Sequence, residues 1–261
     1  MNKKYLVLIA IIIVVVGIFF IKKDTTVTNV DALATKNDTP VITEENVEYF
    51  PGAKGYFVRP ATEAVYPGVV MIHENRGLRP ETKQAAEQLA REGYMVLAVD
   101  LLGGVAEDQD GAKVLTSKFV QKTGVDNMKA ATAYLRSKGA PKMASLGWCF
   151  GGKQSLELAM SGEKLDATVV YYGGGIATTT DRLAPIKWPV LGIFGDKDQV
   201  IPVAMVNAFE NSLNILGIKN EIHIYPDVGH AFANPSGANY APAQTKDAWE
   251  ETLAFLKENL Q

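Results

Sequence analysis

The sequence predicts an α/β domain: a mostly parallel β-sheet with helices on both faces, preceded by an apolar N-terminal segment. Three observations predict it. Strand-length apolar runs alternate with helical patterns, most of those runs are apolar at every residue, and no internal repeat or second shift of composition divides the chain. A run that is apolar throughout suits a strand buried on both faces, as in a parallel sheet, whereas a strand with one wet face alternates. With 47% hydrophobic and 21% charged residues among 261, the chain has the material for a real core.

At the N-terminus, Met-Asn-Lys-Lys leads into an unbroken apolar run from Tyr5 to Ile21, closed by Lys22 and Lys23. Its 17 residues are just enough to cross a bilayer as a helix. A cleaved signal peptide has a shorter apolar core with small residues soon after it. Here the only such match, Ala32-Leu33-Ala34, lies well downstream. Residues 1–23 therefore read as an uncleaved N-terminal transmembrane helix. The expectation is a membrane-anchored protein with its folded domain outside the cytoplasm, or a secreted one if the segment is cleaved. Residues 24–46 are polar and Thr-rich with Pro40, which suggests a flexible linker. The domain then spans 47–261.

Within it, Val47–Phe50 and Gly55–Arg59 flank "PGAK" as a hairpin. Strands follow at 68–73 (GVVMIH), 94–100 (YMVLAVD), 143–148 (MASLGW), 167–172 (ATVVYY), 190–194 (VLGIF) and 221–226 (EIHIYP). Between the first two of these, Ala85, Ala86, Leu89 and Ala90 share one helical face, and Gly93 is placed to end the helix. Val125, Met128, Ala131 and Leu135 mark a second helix, and Trp249, Leu253, Leu256 and Leu260 the last. Strand, helix, strand in this order implies right-handed crossovers and a sheet covered on both sides.

The formal net charge is -3 and no dense Lys/Arg stripe is present, so nucleic acid is excluded as a partner. One cysteine allows neither an internal disulfide nor a Cys-based zinc site. His73-Glu74 does not begin a zinc-protease H-E-x-x-H, because residue 77 is Gly77. No metal, no cofactor and a monomer are expected.

In such a sheet ligands gather at the carboxyl ends of the strands. The residues there are His73-Glu74, Asp100, Trp148-Cys149, Tyr171-Tyr172, Asp196 to Asp198, and the loop holding His230. Gly147-x-Cys149-x-Gly151, after a strand and before "GKQSLELAM", is a nucleophile elbow with cysteine in place of serine. Glycines flank the nucleophile because side chains in so sharp a turn would collide with strand and helix. The helix N-terminus then favours an anion at the sulfur. His230, in the Gly-preceded loop "YPDVGHAFANP", can reach back to it as the base; His223 alternates with Ile222 and Ile224 inside a strand and reads as structural. Asp196 or Asp198 in "IFGDKDQVIP" can orient the imidazole. Nucleophile, acid, histidine is the chain order of the α/β-hydrolases. The oxyanion hole would be the backbone N–H of Phe150 with a second donor near Asn75.

With "VVMIHENRGL", "GWCFGG", "GDKDQVIP" and "GHAF", roughly residues 45–261 resemble the dienelactone hydrolase family, α/β-hydrolases without a large cap domain and with a Cys-His-Asp triad. The resemblance implies Cys149 as nucleophile and His230 as base. Through G-x-x-D-x-x-[VI]-P, from Gly195 to Pro202, it implies Asp198 as the acid. It also implies that Glu74 contacts the resting thiol and helps to activate it. Glu74, Tyr172 and Asn234 stand as thiol-modulating or substrate-contacting residues. The chain departs from the family where arginines bind a substrate carboxylate: it has Asn234 four residues after the histidine, and only Lys113, Lys118 and Lys122 within 105–123. Arg76 and Lys153 read as solvated surface charges. The expected substrates are small activated esters or lactones, cleaved through a cysteine acyl-enzyme. Two other classes share these features: an anchored binding domain without activity, and a thiol redox protein, although no second cysteine could resolve a sulfenic acid.

Overall fold

The computed structural model describes residues 39–261, and its sheet begins with an antiparallel hairpin, β1 (Val41–Phe50) and β2 (Ala53–Pro60). β1 corrects the C-terminal end of the supposed linker: residues 41–46 are strand, paired from Val41 opposite Pro60 to Glu44 opposite Phe57. Most of this stretch is exposed and its register slips between Glu44 and Val47, beside Asn46 at φ 56°. An edge strand needs only backbone partners, and a bulge breaks the alternation that would mark it.

The next five strands are β3 (Gly68–Ile72), β4 (Met95–Val99), β5 (Met143–Trp148), β6 (Ala167–Tyr171) and β7 (Val190–Gly195). All are buried along their whole length, as their apolar runs require. The half-buried β8 (Asn220–Tyr225) closes the far edge. The order is β1-β2-β4-β3-β5-β6-β7-β8, antiparallel as far as the β2–β4 pairing and parallel from β4 onward. From β3 the chain moves to β4 on one side, then returns to β5 on the other. The connections after β3 and β5 therefore diverge, and the crevice between them at the carboxyl edge is where a ligand can enter.

Among the described residues seven helices accompany the strands: α1 (Pro80–Arg91), α2 (Gln109–Ser117), α3 (Gln121–Ser137), α4 (Phe150–Met160), α5 (Thr180–Leu183), α6 (Val203–Ile215) and, after β8, α7 (Pro242–Leu260). Side-chain alternation on β5 and β6 shows how both faces are covered. Ser145 meets Ser155 of α4, their hydroxyls 2.8 Å apart, whereas the neighbouring Trp148 and Tyr171 rings turn the other way. The Tyr171 hydroxyl is 2.8 Å from the Ala248 carbonyl oxygen and 2.6 Å from Thr252 Oγ1, both on α7.

The expectation of a membrane anchor is corrected. Among the described residues no helix is long and apolar enough to cross a membrane. Residues 5–21, on which both the anchor and the extracytoplasmic location rested, lie outside them. Apolarity over a segment is a necessary condition for a span and places no helix by itself.

The hydroxyl of Tyr171 links the sheet to α7 inside the core. Tyr171→Phe should lower the free energy of unfolding by about 1 kcal/mol, the usual net value of one such bond. Urea denaturation should show it as a lower midpoint with an unchanged slope.

Candidate active site

At the end of β5 the chain turns directly into α4, and Cys149 takes φ 52° and ψ −113° at the bend. A non-glycine residue held at positive φ is strained, and the surroundings must enforce it. Three glycines do so by letting backbones touch. A Cβ on Gly147 would run into the Gly151 carbonyl oxygen, one on Gly151 into the Ile72 and His73 carbonyl oxygens, and one on Gly152 into that of Tyr171. The Cys149 N–H donates to the Tyr171 carbonyl at 3.0 Å, pinning the turn to β6.

Asp198 follows β7 with its carboxylate fully buried. Its Oδ1 accepts from the N–H groups of Val200 (2.8 Å) and Ile201 (3.0 Å), which leaves Oδ2 facing His230 Nδ1 at 2.9 Å. His230 Nε2 lies 3.0 Å from Cys149 Sγ. Between the two aspartates left open by the sequence, it is Asp198 that meets the imidazole; Asp196 instead pairs with Lys197 at 3.1 Å. Asn239 Nδ2 donates to the His230 carbonyl at 2.9 Å and steadies its loop, where Ala231 has φ 61°. His223 stays on β8, stacked on Tyr225.

The N–H groups of Phe150 and Asn75 carry no described hydrogen bond. Phe150 opens α4, where the first N–H groups have no acceptor within the helix. The Asn75 side chain donates to Gln109 Oε1 at 3.1 Å, leaving only its backbone for the site.

Glu74 is placed differently from what the resemblance implies. Its Oε1 accepts from the Tyr172 hydroxyl at 3.2 Å and its Oε2 from Asn234 Nδ2, while the described hydrogen bond of the thiol is to His230. Asn234 thus contacts Glu74 within the protein. Tyr172 is wholly buried, at φ 34°, with its ring against those of His230 (5.4 Å) and Phe232 (5.7 Å). A cavity of about 390 Å³ opens beside this cluster, walled by Trp148, Tyr240 and Trp249 as well as by Glu74, Tyr172 and Asn234. His230 packs against Tyr172, which lines the cavity.

Burial and hydrogen bonding set the charges. Burial works to raise the Asp198 carboxyl, but the bonds from His230, Ile201 and Val200 outweigh it and hold it below the usual carboxylate range. Burial works to lower the His230 imidazole, yet Asp198 and the sulfur together push it up to about 10. Burial raises the Glu74 carboxyl, although Asn234 and Tyr172 partly relieve it. Tyr172 is raised by burial and by Glu74, so it remains a phenol able to donate.

Two features were not read from the sequence. Arg76 donates from Nη2 to the Glu107 carbonyl and Arg79 from Nη1 to that of Ala106 at 3.0 Å. Arg76 and Arg79 thus bridge the segments that follow β3 and β4, and both line the cavity. His73 is fully buried at the end of β3; its only signal is a polar residue closing an otherwise apolar run.

The model of the dienelactone hydrolase family matches residues 53–260. A Salmonella typhimurium protein named "Putative carboxymethylenebutenolidase" is 28% identical over 218 residues, 77% of this chain and 81% of that one. "Protein usf" of Aquifex pyrophilus is 31% identical, over 79% of this chain and 94% of its own. Among solved structures, a "Putative Dienelactone Hydrolase" from Klebsiella pneumoniae superposes with a TM-score of 0.77 at 25% identity, covering 84% of this chain and 99% of that one. With a family match running from β2 through α7, on an α/β-hydrolase sheet, the chain belongs to the dienelactone hydrolase family, whose members are hydrolases of carboxylic esters and lactones.

Proposed function

We propose that the protein hydrolyses small activated esters or lactones through an acyl-enzyme on Cys149. The observation that carries this reading is the continuous chain from Asp198 Oδ2 to His230 Nδ1 (2.9 Å) and from Nε2 to Cys149 Sγ (3.0 Å). As the sulfur bonds to the carbonyl carbon, the proton shared by the Cys149–His230 pair stays on Nε2, and the carbonyl electron pair moves onto oxygen. The N–H groups of Phe150 and Asn75 are free to stabilise that oxyanion. When the adduct collapses, the C–O bond to the leaving group breaks and His230 returns the proton to it. Water, deprotonated by the same nitrogen, then cleaves the thioester. Asp198 holds the ring with Nδ1 protonated and steadies the imidazolium.

Sulfur chemistry narrows the substrate. A thiolate leaves more readily than an alkyl alkoxide, so the adduct falls back unless the other leaving group is stabilised. Aryl esters, enol lactones and thioesters are favoured over alkyl esters and amides. Asn234 stands where the family arginine would bind a substrate carboxylate, and its amide is engaged by Glu74. A free carboxylate is therefore not required of the substrate, and the cavity with its aromatic walls takes the part that does not react.

Cys149→Ala should abolish hydrolysis of p-nitrophenyl acetate, and undiminished turnover by that variant would sink the reading. Asp198→Asn, which leaves the imidazole in the wrong tautomer, should lower kcat by roughly 10³- to 10⁴-fold at similar KM. The raised His230 also makes stability depend on pH. Its folded-state value of about 10 lies above the ordinary 6.5, so the stability it contributes is complete below about 6.5 and is lost as pH rises through about 10. Between pH 7 and 10 the urea midpoint of the wild type should therefore fall further than that of His230→Gln.

A further inference from the structure

We infer that His73 is a positioning residue of the oxyanion hole, fixing the peptide that carries the Asn75 N–H and bracing the residue that supplies the other donor. The inference rests on the ester-hydrolase reading of the site. His73 is buried with no exposed surface, and both ring nitrogens are engaged. Nε2 accepts from the Leu101 N–H at 3.1 Å, and burial keeps the ring neutral, so the single ring proton sits on Nδ1. Nδ1 then donates to the Glu74 carbonyl oxygen at 2.6 Å.

That carbonyl and the Asn75 N–H belong to one peptide unit. This peptide bond is trans, so the two groups point in opposite directions from a rigid plane. Holding the carbonyl against His73 fixes the direction of the N–H, and donation to the carbonyl polarises the unit into a better donor. A second, weaker contact, from the Gly77 N–H to the same oxygen at 3.3 Å, closes the turn behind it. The opposite donor is braced by the same ring: the His73 and Phe150 rings lie nearly parallel, 13° apart, with centroids 6.0 Å from each other. One side chain thus bonds the peptide that carries one donor and lies beside the ring of the residue that carries the other. It is itself anchored to the segment after β4 through Leu101, next to Asp100, whose Oδ1 accepts from Leu102 (3.1 Å) and Gly103 (2.9 Å).

The test is an isosteric pair. Asn at position 73 can place an amide donor where Nδ1 now stands; Leu has the same shape, no donor, and leaves the same space. His73→Leu should have kcat for p-nitrophenyl acetate roughly 10- to 100-fold below that of His73→Asn, less than the loss of a whole oxyanion donor, with KM similar in both. Alkylation of Cys149 by iodoacetamide creates no oxyanion and should proceed equally in the two variants and the wild type. Equal kcat in the Asn and Leu variants would overturn the assignment, as would alkylation that falls in step with ester turnover, which would mean a displaced thiol. His73→Phe keeps the ring volume without the donor and serves if the Leu variant does not fold; it should match the Leu loss. Wild-type protein that turns over no ester would remove the hydrolase reading and this assignment with it, whereas normal wild-type turnover with indistinguishable variants removes the assignment alone.

Discussion

Everything at this site depends on how closely α4 lies against the ends of β3 and β6. Gly151 brings the helix backbone onto the carbonyls of Ile72 and His73, and Gly152 brings it onto that of Tyr171. No residue with a Cβ could be accommodated at either place without pushing a backbone away. The contact fixes Cys149 between the segment that carries Glu74 and Asn75 and the one that carries Tyr172. It also holds the sulfur-bearing residue in a backbone conformation that it would not adopt alone. Cys149, the N–H groups of Phe150 and Asn75 and the carboxyl cluster are thus positioned by backbone packing before any side-chain interaction is considered.

The second constraint is burial, which works to raise two carboxyls and is overcome at only one of them. Asp198 and Glu74 are both withdrawn from water. Asp198 receives two backbone N–H groups and an imidazole, and its charge is kept. Glu74 receives one phenol and one amide, and its carboxyl is raised. Two carboxyls in one site are driven apart by the number and kind of donors that reach them.

Features that depend on local spacing were legible in the sequence: the glycine-flanked elbow, the all-apolar strands, and the order Cys149, Asp198, His230. Asp198 could be told from Asp196 only through a family pattern, because the choice depends on which oxygen the Val200 and Ile201 N–H groups leave free. The partners of Glu74 could not be read at all, since Asn234 is distant in sequence and meets it only through the fold. His73 gave one polar letter at the end of an apolar run. Residues 41–46 gave none, because an edge strand with a bulge at Asn46 carries no hydrophobic period. The membrane helix was inferred from apolarity alone, and no described element carries it.

The departure at Asn234 and the state of Glu74 are two sides of one arrangement. An arginine at 234, within reach of Glu74, would pair with it as an ion, lower its carboxyl and fix a negative charge close to the sulfur. An anion there opposes the formation of a second anion on Cys149, so that charge would have to move or be neutralised before attack. Asparagine donates one hydrogen bond and no charge. It leaves burial free to raise the Glu74 carboxyl toward its neutral form, while Tyr172, itself held as a phenol, supplies the other donor. Asparagine at 234 therefore leaves out a cation that would hold Glu74 as an anion.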